Sequence, residues 1–134
     1  MPLLLDSSLW IDFTRSRSSA QLKKFIAPFI LDPQTHLAEP VRFELLRSAR
    51  PNEIPLLEAQ FATIRCLETP GDVWSRAIFL GQGCQQIGRR VASLDLVVAA
   101  VAVHHEATVV TFDGDFEAIA SVSKLKVQRL QRPR

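Results

Sequence analysis

The 134-residue sequence predicts an α/β fold built around a mostly parallel sheet. Two observations carry that expectation. Short apolar runs ending at acids or turn signals, Leu3 to Leu5 and Thr108 to Phe112, read as buried strands. Between them lie stretches whose apolar residues recur at helical spacing, and strands alternating with helices favour parallel pairing. Hydrophobic residues make up 47% and charged residues 22% of the chain, which supports one globular domain over 1–134 and excludes a disordered protein.

Leu3 to Leu5 forms the first strand and stops at Asp6. Ser7 or Ser8 then caps a helix through Trp10 and Phe13. Arg15 to Ser19 is a polar loop. Leu22, Phe25, Ile26, Phe29 and Ile30 share one face of a helix over Ala20 to Leu31, which Asp32-Pro33 ends. His36 to Ala38 reads as a short strand. Pro40 suits the first turn of a helix running to about Ala49. Arg50-Pro51-Asn52 breaks that helix, and Asn52 caps another toward Thr63. Ile64 to Leu67 is a further short strand. Pro70-Gly71-Asp72 opens a helix through Trp74, Ala77, Ile78 and Gln85 that closes near Gly88. Ser93 caps a long helix from Leu94 to His105. After the strand Thr108 to Phe112, Asp113-Gly114 is a turn, and Phe116, Ile119 and Ala120 mark a short helix. Lys126 to Leu130 alternates as an edge strand does, and residues 131–134 form a loose tail.

Several function classes drop out. Leu96 to Val103, the longest apolar run, is far too short to cross a bilayer, and the N-terminus lacks the basic region of a secretory signal. Cys66 and Cys84 form neither a disulfide framework nor a CxxC pair, so the chain reads as reduced and cytoplasmic. His36, His104 and His105 have no zinc spacing, no GxSxG is present, and Gly81, Gly83 and Gly88 do not follow a strand as a phosphate loop would. The net charge of +2 defines no partner, but 12 of the 16 basic residues are Arg, whose planar fork suits phosphate and carboxylate.

The acids are more informative. Asp6 and Asp113 follow strands, where ligands of parallel sheets bind. Glu44 shares a helix face with Val41, Leu45 and Ser48. Asp95 precedes eight consecutive apolar residues, so its helix is buried all round. Each has an ordinary structural role open to it: cap, turn former, first-turn acid or snorkelling glutamate. Jointly they point elsewhere. Four carboxylates ~6 Å apart in an effective dielectric of about 20 repel by ~3 kcal/mol per pair, on the order of 15 kcal/mol in total, which rivals the stability of a domain. Such a cluster takes up protons or a cation. An oxygen-only donor set selects a hard ion, Mg²⁺ or Mn²⁺, suited to hydrolysing a phosphodiester.

These residues resemble the PIN-domain ribonucleases of the VapC toxin type, from type II toxin–antitoxin systems. The likeness rests on Asp6-Ser7-Ser8-Leu9-Trp10-Ile11, Glu44-Leu45-Leu46, Asp95-Leu96-Val97-Val98-Ala99-Ala100-Val101-Ala102 and Thr111-Phe112-Asp113-Gly114-Asp115-Phe116, in that order over nearly the whole chain. It implies a three-layer α/β/α domain that cleaves RNA with Mg²⁺ or Mn²⁺. The catalytic acids it implies are Asp6, Glu44, Asp95 and Asp113. Asp6, Asp95 and Asp113 are its metal ligands, with Asp115 and Glu44 as further candidates and Glu39 as a competitor of Glu44. Ser8 matches a hydroxyl residue that supports the first Asp. A homodimer and a VapB-like antitoxin are implied, the latter covering the acidic groove. Of the arginines near these segments (Arg42, Arg47, Arg50, Arg89 and Arg90), Arg42, Arg89 and Arg90 are the candidates for RNA phosphates. In-line attack by water would leave a 5′-phosphate and a 3′-hydroxyl. Three other readings differ in kind: a PIN nuclease of RNA processing without an antitoxin, a non-catalytic RNA- or antitoxin-binding module, and a receiver-like phosphoacceptor. The last wants a Lys after its final buried strand, which Lys23, Lys24, Lys124 and Lys126 do not supply.

Overall fold

A computed structural model describes all residues, Met1–Arg134. The elements follow the expected order: β1 (Leu3–Leu5), α1 (Ser7–Thr14), α2 (Ala20–Leu31), β2 (Thr35–Ala38), α3 (Glu39–Ser48), α4 (Ile54–Phe61), β3 (Arg65–Leu67), α5 (Val73–Gln86), α6 (Ser93–His104), β4 (Thr108–Thr111), α7 (Asp115–Ser121) and β5 (Lys126–Arg129). The five strands form one sheet in the order β3-β2-β1-β4-β5, and every pairing is parallel. Helices cover both faces, giving α/β/α layers.

The placement of strands follows from their composition. Leu4 and Leu5 of β1 and Val109 and Val110 of β4 are fully buried, as central parallel strands covered on both faces must be. β5, with Lys126, Gln128 and Arg129 exposed, occupies an edge. In α6, Val97 to Ala102 are all buried against the sheet, α5 and α7. Because all strands run the same way, the residues that follow β1, β4 and β5 emerge together at the carboxyl end of the sheet. The first turn of α6 delivers Asp95 there too.

Three expected caps differ. Asp6, not Ser7 or Ser8, caps α1: its extended backbone (φ −78°, ψ 177°) turns the carboxylate onto the Ser8 N–H. Ser93 lies inside the first turn of α6, behind Ala92, which supplies no side-chain bond. α4 begins after Glu53 rather than from an Asn52 cap. Gly88 closes α5 with φ +75°, a left-handed value that favours glycine. The turn it makes is secured by Arg89 N–H donating to the Cys84 carbonyl at 2.9 Å.

Residues 131–134 form no regular element, yet the expected loose tail is anchored. Arg132 Nε donates to Asp12 Oδ2 at 2.6 Å, and the guanidinium lies 4.4 Å from the centre of the Phe112 ring.

Candidate metal centre

Asp6 is the most enclosed acid of the molecule, 4% exposed at the end of β1. Its Oδ1 accepts from Ser8 N at 3.0 Å and Ser8 Oγ at 2.6 Å, and its Oδ2 accepts from Thr111 Oγ1 at 2.6 Å. Both hydroxyls work twice. Ser8 Oγ accepts from Phe112 N at 3.2 Å, and Thr111 Oγ1 accepts from Asp113 N at 2.8 Å. Asp113 Oδ1 in turn accepts from Asp115 N at 2.9 Å. One hydrogen-bonded chain thus joins the end of β1 to the loop after β4 and holds Asp113 at both its backbone N–H and its carboxylate. Burial pushes the Asp6 carboxyl up to about 6, against the bonds from Ser8 and Thr111 that favour its charge; Asp113 pushes it further up.

Asp95 stands opposite, half-buried in the first turn of α6. Burial raises its carboxyl to about 7, and the charges of Asp113, Asp6, Glu44 and Asp115 add to the rise in that order. No protein donor bonds to it. Asp95, Asp113 and Asp115 each bring a carboxylate oxygen within 4.8 Å of the others. Asp6 and Glu44 lie outside that trio, close enough for their charges to bear on Asp95. Glu39, the alternative acid on α3, is exposed and sits 3.7 Å from Arg42. Asp113 and Asp115, between which the sequence left a choice, both face Asp95.

The donor chemistry fits a hard divalent cation. It is carboxylate oxygen alone, with no His or Cys among it, and its mutual spacing allows two or three oxygens to share one ion whose remaining positions go to water. The cationic side chains are unequally placed. Arg89 reaches Asp115 at 3.5 Å, and Arg89 and Arg90 line a recess of about 360 Å³ with Gly81, Gln85 and Gly88. Arg42 is engaged elsewhere, by Glu58 at 2.7 Å and Glu39.

Thr111, which bridges Asp6 and Asp113, was not singled out from sequence as a site residue. A Thr two positions before an Asp at a strand end is the available signal, because such hydroxyls bind the backbone N–H two residues on.

The model of the PIN domain family matches residues 3–122. Ribonuclease VapC21 of Mycobacterium tuberculosis is 38% identical over 69 residues, so the match spans about half the length of each chain. Ribonuclease VapC11 of the same organism is 26% identical over 129 residues, 92% of this chain and 96% of the relative. Among solved structures, VapBC2 from Rickettsia felis bound to a promoter DNA fragment superposes with a TM-score of 0.73 at 14% identity, over 98% of this chain and 100% of that one. VapBC-1 from Haemophilus influenzae gives 0.73 at 18% identity, over 96% and 98%. At these identities the structural likeness establishes the fold.

Proposed function

The chain belongs to the PIN domain family, and we propose that it is a Mg²⁺- or Mn²⁺-dependent endoribonuclease, the toxin of a VapBC-type pair, acting on RNA in the cytoplasm. The observation that carries this reading is the gathering of Asp95, Asp113 and Asp115 with Asp6 and Glu44 close by, where burial first and then the charges of the other four acids lift Asp95 to about 7. Structural acids are ordinarily neutralised by bases, whereas the base that reaches these is the half-exposed Arg89. Ribonuclease VapC21 and VapC11 support the choice of RNA as substrate.

Asp95, Asp113 and Asp115 are the residues that would hold the ion, with Asp6 and Glu44 completing the negative field. When bound, the ion supplies charge stabilisation at the phosphoryl oxygens and lowers the pKa of water. The protein's own part is positional. Ser8 and Thr111 keep Asp6 fixed, and Thr111 orients the loop bearing Asp113 and Asp115. Without the ion, Asp95, poised near 7, holds a proton at its carboxylate near neutral pH, and it gives that proton up to bind the cation. Arg89 and Arg90, on the rim, are placed to meet backbone phosphates, which gives affinity without base selectivity. Arg42 is the weaker candidate for that role, being already paired.

Two partners follow from the same reading. A groove of about 540 Å³ lined by Ile11, Phe13, Leu45, Leu56 and Leu57, with Arg15, Arg17 and Arg50 at its side, suits an amphipathic antitoxin segment bearing acids. The VapBC complexes that share this fold support a VapB-like antitoxin as the partner. Trp74, Ile78 and Phe79, each more than 60% exposed on α5, offer a second copy an apolar surface.

The deciding experiment incubates wild type and Asp6→Asn with total RNA and Mg²⁺ or Mn²⁺ and maps the fragment ends. Cleavage by the wild type alone, abolished by chelation and leaving 5′-phosphates and 3′-hydroxyls, is expected. An inactive wild type, or 2′,3′-cyclic ends, would overturn the mechanism.

A further inference from the structure

The turn that carries Asp113 and Asp115 contains a glycine whose backbone does not need to be one. Gly114 has φ −69° and ψ −13°, values open to any residue. Its neighbour explains it. A Cβ at Gly114 would stand 3.2 Å from Arg129 Nη1, 3.3 Å from Cζ and 3.4 Å from Nη2. Parallel pairing aligns Arg129, the last residue of β5, with Thr111, the last of β4. The guanidinium therefore lies directly against the turn between the two acids. One bond fixes it there, from Nη1 to Glu117 Oε1 at 2.8 Å. Its remaining N–H donors meet no protein acceptor, and the side chain is 48% exposed.

We propose that Arg129 is a phosphate-binding residue of the active site, taking a non-bridging oxygen of the RNA backbone beside the scissile phosphate. The inference rests on the nuclease reading above. RNA approaching five carboxylates meets like charge, and a cation held at the rim offsets it. Arg129 and Arg89 are about equally exposed but differ in the acid that braces them. Arg89 points at Asp115, one of the acids themselves. Arg129 is braced by Glu117, outside the acidic trio, and keeps most of its fork free for an oxyanion. A purely structural role, tying α7 to β5, would use the Glu117 bond alone and would give no reason for seating the guanidinium against the acid loop.

The test measures binding of a fluorescently labelled single-stranded RNA across a salt series. It is done in an Asp6→Asn background with Mg²⁺ and, separately, on the otherwise unmodified chain in EDTA, so that the RNA is not cut. Arg129→Ala is expected to weaken binding roughly 10-fold at low salt and to lower the slope of log K against log salt by roughly 0.7, one lost phosphate contact on a single strand. Arg129→Lys keeps the slope and recovers part of the affinity. Gly114→Ala, whose methyl displaces the guanidinium at a backbone angle alanine accepts, weakens binding in the same direction. Arg76→Ala is the control. Arg76 pairs with Asp72, which feels the charge of His104 at the far end of α6, ~18 Å from its first turn. It should change neither quantity. An unchanged slope in Arg129→Ala overturns the proposal and reduces Arg129 to a brace, even if the melting temperature falls. If the wild type cuts RNA while Arg129→Ala behaves as wild type, this inference alone fails. If the wild type neither binds nor cuts RNA, the nuclease reading fails and takes the inference with it.

Discussion

The two sides of the acidic site are built differently. On the β1 side, Asp6 is almost wholly enclosed yet receives three hydrogen bonds, and its carboxyl sits near 6. On the α6 side, Asp95 is less buried but receives no hydrogen bond from the protein and faces four other carboxylates, and its carboxyl sits near 7. The better-buried acid is thus the less perturbed one. Donors decide the difference: Ser8 and Thr111 stabilise the charge that burial penalises, whereas around Asp95 every named neighbour opposes it. The β1 side is framework completed by folding. The α6 side holds charge that folding leaves uncompensated, the condition in which a site gains most from a proton or a cation.

Neutralising Asp95 should therefore separate function from stability. Asp95→Asn removes a ligand and a charge at once. We expect activity to fall by about 10³-fold, the several kcal/mol a metal contributes to transition-state charge. The metal-free protein should nevertheless melt higher than wild type at pH 8, since the repulsion is gone. Activity assays paired with melts in EDTA check both. A variant that is less stable than wild type at pH 8 would show Asp95 to be framework after all.

The same contrast fixes the pH dependence. Both carboxyls lie above the ordinary 3.8 when folded. Between about pH 4 and pH 7 the native state holds protons that the unfolded chain has released, so metal-free stability falls as pH rises through that window. Asp6 contributes up to ~3 kcal/mol of that fall. The more exposed Asp95 contributes less than its shift implies, because solvent screens it. Metal binding requires the deprotonated forms, so stabilisation by Mn²⁺ should grow over the same range, to about 2.7 kcal/mol at a hundredfold excess over Kd. Urea melts at pH 5 and pH 8, with Mn²⁺ or EDTA, measure both trends. A metal-free stability that is flat between those pH values contradicts the raised carboxyls.

What the sequence revealed and what it hid divide along similar lines. The central strands were legible because Leu3–Leu5 and Thr108–Thr111 are apolar without interruption, and α6 because its buried residues leave no polar face to misread. The acids stood out as polar groups at places that packing does not explain. Caps were not legible. Between Asp6, Ser7 and Ser8 the choice depends on backbone geometry: Asp6 stays extended with its carboxylate on the Ser8 N–H, while Ser7 and Ser8 already lie in the helix. Arg129 and Arg132 were hidden for a stronger reason. Arg129 acts through an absent Cβ at Gly114, and Arg132 meets Asp12 across 120 residues of chain. Local pattern holds neither fact.

Within the framework, Thr111 carries the largest share for its size. It is fully buried, donates to Asp6 and accepts from Asp113 N–H. Thr111→Val keeps the volume but leaves both partners without it, at a cost of about 2 kcal/mol. Asp6, deprived of a donor, should rise further above 6. A chemical denaturation series gives the first quantity, and the pH at which Mn²⁺ binding is half-lost should move upward with the second. Unchanged metal binding in this variant would detach the hydrogen-bonded chain from the ligand loop.

Arg132→Ala should be the mildest of these changes and the most selective. The side chain stacks on Phe112 and pairs with Asp12, which is 8% exposed. Phe112 is itself held by Ser8 and packs on Phe25 with ring centres 6.4 Å apart. Loss of the cation over the ring costs about 0.5–1 kcal/mol, and the carboxylate left without a partner brings the total to ~1–2 kcal/mol. Pairing the change with Asp12→Asn should return part of it, because the stranded charge is then gone. None of the clustered acids touches Arg132, so Mn²⁺ affinity should stay at the wild-type value while the melting temperature falls. A fall in Mn²⁺ affinity as well would mean that Phe112 transmits the tail's position to Asp113, one residue along, and that framework and charged loop move as a single unit.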